Sequence, residues 1–472
     1  MTRWQVAWPG GRAAVQFFFL GIFSGILVSA ARGGILPVPA DGFLRWDPLA
    51  GLMSGAAART FLPLLLWGGI LLAATAIFGR FFCGWICPLG TYLDAVGACV
   101  PRRRPRSLPT SGKFWLLAAL MVVALAGVNL SGWFDPLVMA SRAVYALAES
   151  PASGIRVAIA WSWLLVVGGL TLLAPRFWCR SLCPLGAMLS LAGWRAGMRR
   201  RIGESCSHCG LCQPICPMGQ TPGGHSASEC LVCRRCESVC KSGSISFGFW
   251  AEPLPLDQKA GCAKGTTGAG FPDGGRRGLL LGAGGLAISA VVGGGLRWQG
   301  APLDLRPPGV SDGDQLLARC MGCGACWAAC PTGALQPQFA RARFDTPFAP
   351  RLVPRQGPCL SSCTICASVC PTGAIPSRDP VRREPTRIGL AVVDPKRCLP
   401  WARGERCVIC LDACPEEFDA ISLERSDGGV FVPQVDAAKC TGCGACEYQC
   451  PVDPGGAIRV EPLAVVADRS EL

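Results

Sequence analysis

Twenty-four of the thirty cysteines fall into six quartets. These are Cys206, Cys209, Cys212 and Cys216; Cys230, Cys233, Cys236 and Cys240; Cys320, Cys323, Cys326 and Cys330; Cys359, Cys363, Cys366 and Cys370; Cys398, Cys407, Cys410 and Cys414; and Cys440, Cys443, Cys446 and Cys450. Most follow the spacing C-x2-C-x2-C-x3-C, usually with proline next, which is the spacing that holds iron–sulfur cubanes. Three closely spaced thiolates wrap three irons of one cubane, and the turn then carries the fourth thiolate to a neighbouring cluster. Zinc sites use two C-x-x-C pairs a dozen or more residues apart, and disulfide scaffolds belong to small secreted domains. Neither describes a 472-residue chain with this spacing. Longer first gaps in the fourth and fifth quartets, and Lys241 in place of the proline after the second, alter loop shape and remove no ligand. The expectation is six [4Fe-4S] clusters with these 24 cysteines as ligands.

If the first two quartets are self-contained, their pairing follows the bacterial ferredoxin pattern. Cys206, Cys209 and Cys212 take Cys240, while Cys230, Cys233 and Cys236 take Cys216. The four later quartets allow several pairings, between which the sequence does not choose. Clusters held in adjacent pairs form a chain along which single electrons can hop. No acid–base pair, nucleophile triad or phosphate loop competes with that chemistry. His208 and His225 are the sole histidines and no C-x-x-C-H occurs, which argues against b- and c-type haem. Cys99 and Cys262 fit no pattern and read as ordinary thiols.

Four more cysteines sit in a repeat. "RFFCGWICPLG" (Arg80–Gly90) and "RFWCRSLCPLG" (Arg176–Gly186) align at an offset of 96 residues, presenting Cys83 and Cys87, then Cys179 and Cys183. Cysteines at i and i+4 share one helix face, and the proline after the second limits helical continuation. Packed together, the repeats could form a four-thiolate metal or cluster site or two redox-active dithiols; alternatively, the small side chains merely pack helices. A second matched pair, "WDPL" (Trp46–Leu49) and "FDPL" (Phe134–Leu137), precedes the two copies of the first, one before each. Asp-Pro is a good helix start, with aspartate capping and proline at the first position. Proton acceptance is the alternative role for Asp47 and Asp135.

The elements that must position these motifs are membrane helices. Half the residues are hydrophobic and only 16% are charged, with a mean hydropathy of +0.37. Uncharged apolar runs occur at Ala13–Ala31, Thr60–Phe78, Phe114–Leu130 and Val157–Leu173, each 17–19 residues, near the length of a bilayer-crossing helix. Five basic residues and no acid lie in Pro101–Lys113, and four with one acid in Trp194–Glu204, which places the amino terminus and both loops in the cytoplasm. Both C-x-x-x-C-P motifs then sit at the cytoplasmic membrane edge and the Asp-Pro motifs on the opposite side. From residue 301 onward there are 18 Lys+Arg and 20 Asp+Glu, leaving 27 and 11 before it. The basic excess therefore sets topology, and no nucleic-acid footprint is implied.

Asp257–Gly275 reads as a flexible linker. It leads to Arg276, Arg277 and the uncharged Gly278–Leu296, which contains seven glycines in 19 residues. That stretch suits either a plain fifth helix or a twin-arginine export signal, an address read by receptors. Either reading puts the residues after it outside. The expected class is an α-helical membrane protein, with four spans plus a fifth signal or anchor helix, carrying α+β bacterial ferredoxin-like cluster domains. Its parts are a membrane domain over 1–195, a cytoplasmic two-cluster ferredoxin domain over 196–256, a linker over 257–275, a fifth segment over 276–298 and a periplasmic four-cluster domain over 299–472.

Together these features resemble a fusion of the NapH and NapG families, the quinol-dehydrogenase pair of periplasmic nitrate reductase systems. Residues 1–250 are similar to NapH through the spans, the motifs at Cys83–Pro88 and Cys179–Pro184, and the two-cluster ferredoxin. Residues 270–472 are similar to NapG through a twin-arginine leader and four cluster motifs. The MauN and MauM pair of methylamine oxidation is similar in the same way. Fusion would explain an export signal in mid-chain. The resemblance, not the spacing, implies quinol as mobile substrate. It also implies the bacterial inner membrane as location, with the lipid bilayer, the quinone pool and a periplasmic cytochrome or reductase as partners. The function expected is quinol oxidation with electrons passed through iron–sulfur clusters to a periplasmic reductase. The second class is an accessory electron donor for maturation of an exported metalloenzyme, of the methylamine dehydrogenase type.

Overall fold

The computed structural model describes residues 10–32, 42–99, 111–148, 154–203, 205–207, 209–220, 227–249, 304–338, 348–377, 386–426 and 428–463. They divide between two compact units, Met1–Val28 with Val38–Trp298 and Ser29–Pro37 with Gln299–Leu472. The expected linker, Arg276, Arg277, the fifth segment, Cys262, both histidines and most of the Pro101–Lys113 loop lie outside the described residues.

In the first unit each expected span corresponds to a helix, but three are shorter than the apolar runs. Gly10–Ala31 has 22 residues, Leu64–Phe78 has 15, Gly112–Leu125 has 14, and Gly154–Gly169 has 16 before a 3-10 turn at Leu170–Leu172. Among the described residues only Gly11–Ala31 is by itself long and apolar enough to cross a membrane. The reasons for shortening are local. Pro63, which has no N–H to donate, stands at the N-cap of its helix. Gly127 turns left-handed at φ 91° and closes the helix before it. Apolar composition thus overstates helix length at both places.

Each Asp-Pro motif opens a short helix, Pro48–Ala58 or Pro136–Ala148. Asp47 Oδ1 accepts from Leu49 N at 2.9 Å and Ala50 N at 3.3 Å. Asp135 Oδ1 accepts from Leu137 N at 2.8 Å and Val138 N at 3.3 Å. The capping reading is therefore what the structure has. Leu64–Phe78 crosses tightly over the first of these helices, since a Cβ on Gly68 would come within 2.6 Å of Pro48 Cα.

The cluster quartets sit in small α+β wraps. Met198–Ile202 pairs antiparallel with Ile245–Phe249, in register from Met198↔Phe249 to Ile202↔Ile245. The one-turn helices Cys212–Ile215 and Arg235–Ser238 lie between them in sequence. In the second unit Leu335–Pro337 pairs with Pro350–Leu352, Leu390–Val393 with Ile458–Glu461, and Ile421–Arg425 with Phe431–Val435. These elements are too short to enclose a large apolar core, and cysteines fill it instead. Cys398, Cys440, Cys446 and Cys450 are buried among Ala391, Ile421, Ala457 and Ile458. Folding of so small a core leans on what the thiolates bind.

Candidate metal centres

The fold resolves the pairing that the spacing left open. The fields of Cys323 and Cys320 act most strongly on Cys326, followed by that of Cys370, ahead of Cys366. Cys330 lines one small cavity with Cys359, Cys363 and Cys366. Cys414 joins Cys440, Cys443 and Cys446 around a second, and Cys450 joins Cys398, Cys407 and Cys410 around a third. The third quartet therefore exchanges its fourth cysteine with the fourth quartet, and the fifth with the sixth. Between the two pairs, Cys359 N donates to the Cys443 carbonyl at 2.8 Å, and Arg355 Nη1 donates to the Cys450 carbonyl at 2.6 Å.

In the first unit Cys216 approaches Cys230, Cys233 and Cys236, and Cys206 and Cys209 approach Cys212. The Ser205 and Ser244 hydroxyls meet at 3.0 Å, which sets Cys206 beside the segment following Cys240. Burial pushes the Cys230 thiol up to about 11 and Cys236 up to about 12, so these sulfurs become thiolates only when a metal centre takes them. Four sulfurs among Pro, Leu, Ile and Ala side chains suit an iron–sulfur cluster. Among the described residues no cysteine is disulfide-bonded, and no three His, Cys, Asp or Glu side chains converge on a single-ion site.

The second motif cysteines correct one expectation. Cys83 and Cys179 lie in the short helices Phe81–Trp85 and Phe177–Ser181, but each helix ends before Cys87 or Cys183. These two begin the next helices, Pro88–Cys99 and Pro184–Ala192. They do not share a helix face with their partners, because the following proline forbids the continuous helix that an i, i+4 reading requires. As N-terminal caps, Cys87 Sγ accepts from Gly90 N at 3.4 Å and Cys183 Sγ from Gly186 N at 3.2 Å. All four cysteines are buried, and the repeats bring them together. The fields of Cys83, Cys87 and Cys179 all reach Cys183. Burial pushes the Cys179 thiol up to about 11, against the pull of Arg176 and Arg80.

Spacing alone gives those arginines no role, although the repeat carries one at the first position of each copy. Each reaches across to the other repeat. Arg176 donates to the Cys83 carbonyl at 2.9 Å and the Gly90 carbonyl at 3.1 Å. Arg80 lies against Gly186, where a Cβ would come within 2.9 Å of its guanidinium. Two buried carboxylates answer them. Asp94 binds Arg176 at 2.8 Å and Arg12 at 2.6 Å. Glu229 binds Arg80 at 2.6 Å, Lys113, and the Ser190 hydroxyl at 2.8 Å. Glu229 immediately precedes Cys230, so the second ferredoxin quartet is tied to both repeats. Next to it, Trp85 Nε1 donates to the Val232 carbonyl at 3.2 Å. Gly84 packs so near Leu231 that a Cβ would stand 2.5 Å from its carbonyl oxygen.

Asp47 and Asp135, fully buried, lie close enough to interact directly. Two carboxylates out of water cannot both hold charge at such range, so one proton resides on the pair.

A family model described as "4Fe-4S binding domain" matches residues 60–107 and again 157–203, each containing one C-x-x-x-C-P motif. Another of the same description matches 203–219, and a "4Fe-4S dicluster domain" model matches 319–374 and 403–453. The methylamine utilization ferredoxin-type protein MauM of Paracoccus denitrificans is 38% identical over 193 residues, 38% of this chain and 80% of MauM. The ferredoxin-type protein NapG of Escherichia coli is 37% identical over 208 residues, 41% of this chain and 88% of NapG. The protein NirI of P. denitrificans is 30% identical over 214 residues, 40% of this chain but 30% of NirI. No solved structure matches the chain. With quartets paired as diclusters and most of MauM and NapG covered, the chain belongs to the ferredoxin-type iron–sulfur electron-transfer proteins that include MauM and NapG.

Proposed function

We propose that this chain is an inner-membrane quinol dehydrogenase whose amino-terminal part is NapH-like, fused to the MauM/NapG-type part, and that it feeds electrons to a periplasmic reductase system. The observation that carries this reading is the seating of the Glu229–Cys233 loop on the first C-x-x-x-C-P motif, through Glu229–Arg80 at 2.6 Å and Trp85–Val232 at 3.2 Å. It sets one ferredoxin quartet directly beside the four inner cysteines. Large apolar side chains stand exposed on the candidate spans, among them Phe18, Leu66, Ile70 and Leu165. Such a surface suits lipid, and the basic loops support a first ferredoxin block in the cytoplasm and a second outside.

Iron–sulfur clusters bound at the quartets would supply one-electron transfer. At the inner cysteines the chain's own residues do the orienting: Gly90 N donates to Cys87 Sγ and Gly186 N to Cys183 Sγ, while Arg80 and Arg176 fix one repeat on the other. At the opposite end, the Asp47–Asp135 pair offers a buried proton acceptor for the protons a quinol releases. Roughly 30 Å of hydrocarbon would separate the two ferredoxin blocks. Quinone or the inner cysteines must therefore link them, or the outer quartets take electrons independently.

The test is anaerobic addition of a reduced quinol to the full-length protein, followed by cluster absorbance. Bleaching is expected, and Cys87→Ser with Cys183→Ser should abolish it while about 24 iron remain. Absorbance that responds to dithionite but not to quinol would overturn the reading. The MauM similarity supports a second role, electron donation during maturation of an exported metalloenzyme. Sustained quinol turnover with an acceptor favours the first role, and a single stoichiometric reduction favours the second.

A further inference from the structure

We infer that Arg180 sets the reduction potential of the cluster bound by Cys230, Cys233, Cys236 and Cys216, holding it above the value these cysteines would give beside a neutral side chain. The inference rests on the iron–sulfur electron-transfer character of the chain and needs no quinol. It starts from a position at which the two repeats differ. At the offset of 96 residues, Arg180 stands where the first copy has Gly84. Both positions face the ligand loops of this one cluster. Gly84 abuts the Leu231 carbonyl, between Cys230 and Cys233, with no room for a Cβ. Arg180, 4% exposed, lays its guanidinium on Gly219, where a Cβ would come within 2.8 Å of Nη2. Gly219 N in turn donates to the Cys216 carbonyl at 3.0 Å, and Gln220 N donates to Cys216 Sγ at 3.4 Å. The repeats thus meet these loops at two points, with glycine where the chain passes close and a cation where it leaves space.

Other charged side chains bear on the balance. Arg12 and Arg176 face Cys233 and Arg235 adjoins Cys236, but all three share Asp94, at 2.6, 2.8 and 3.9 Å. Glu229 holds Arg80 at 2.6 Å and Lys113, and it also acts on Arg180, though less strongly than Cys216 does. Exposed Arg234 and Glu237 pair with each other at 2.7 Å. Half-buried Arg200, on the strand Met198–Ile202, reaches Cys216, Cys230 and Cys236. It reaches Cys212 of the companion quartet as well, so its charge acts on both centres and separates neither. Arg12, Arg80 and Arg176 each find their strongest attraction in a carboxylate, whereas Arg180 finds it in a ligand sulfur, Cys216. One added electron makes a cluster one charge more negative, with no bond formed and no proton taken. A buried cation beside a ligand sulfur therefore stabilises the reduced form and raises the potential.

The experiment is a mediator-equilibrated dithionite titration of anaerobically purified full-length protein, followed by electron paramagnetic resonance, for the parent, Arg180→Gln and Arg180→Lys. The relevant signal is the one that Cys233→Ala removes. Arg180→Gln should keep the parent's iron and lower that one potential by about 59 mV, a tenfold loss of electron affinity in a one-electron couple. Arg180→Lys, which keeps the charge, should stay near the parent, and the other potentials should not move. Dithionite reduction leaves the quinol reading to its own test. An unchanged potential in the glutamine variant, an equal fall in the lysine variant, or a fall shared by every cluster overturns the inference. Should glutamine cost the cluster, seen as a loss of about 4 iron, Gly219→Ala takes its place, since the added Cβ displaces the guanidinium while the arginine stays in the chain. The same potential should then fall, and either an unchanged potential or loss of the cluster there too overturns the inference.

Discussion

Replacing Glu229 with glutamine tests whether the ferredoxin loop is locked onto the repeats by charge. The carboxylate is 2% exposed and meets Arg80 at 2.6 Å, Lys113, and the Ser190 hydroxyl at 2.8 Å. Removing one member of a buried ion pair costs about 3–5 kcal/mol, because the remaining charge is stranded. Glutamine keeps an acceptor for Arg80 and Ser190, which places the cost near the lower end. About 3 kcal/mol multiplies the undocked population roughly a hundredfold. The assay is anaerobic bleaching of cluster absorbance with excess iron chelator, whose rate follows that open population. Adding Lys113→Met should restore part of the loss, about 1–2 kcal/mol, by removing one stranded cation. Bleaching within twofold of the parent, or a double variant worse than the single, would refute the reasoning.

The cluster pairing can be read from iron loss: Cys370→Ala with Cys320→Ala should remove one cluster, about 4 iron, whereas Cys370→Ala with Cys359→Ala should remove two, about 8. Gly84→Val should push Leu231 off the first repeat at a cost of about 1–3 kcal/mol, seen as faster chelator bleaching; an unchanged rate would mean the loop is not seated there. Asp47→Asn should be tolerated, since the cap survives and one carboxyl of the pair is already protonated, but Asp47→Ala should cost about 0.5–2 kcal/mol in thermal unfolding. Tags placed at residues 250 and 472 in intact spheroplasts check topology: only the second should be reached from outside, and protection of both would overturn an exported second block.

Much of the chemistry was legible from types and spacing alone. The six quartets, the two C-x-x-x-C-P repeats and the Asp-Pro caps are local features, set by a few consecutive residues and their backbone preferences. Spans were less legible. Hydropathy marks where a helix is apolar, but Pro63 and Gly127 decide where it starts and stops, through a missing donor and a left-handed turn. The i, i+4 reading of Cys83 and Cys87 failed for a related reason, since it assumed a helix that Pro88 does not allow to run through.

What the sequence determined by itself is the donor set: which thiols exist, in what groups, and that each quartet can supply three ligands to one cluster and a fourth to another. Those are properties of short stretches and need no long-range folding. Only the tertiary structure decided which quartets exchange that fourth ligand, that Arg80 and Arg176 cross between repeats 96 residues apart, and that Asp94 and Glu229 answer them. Asp94 and Glu229 belong to no motif, and as single charged residues they read as ordinary surface groups. They matter because folding strips water from four cations and four sulfurs at one place, and buried charge must be answered by whatever the fold brings within reach.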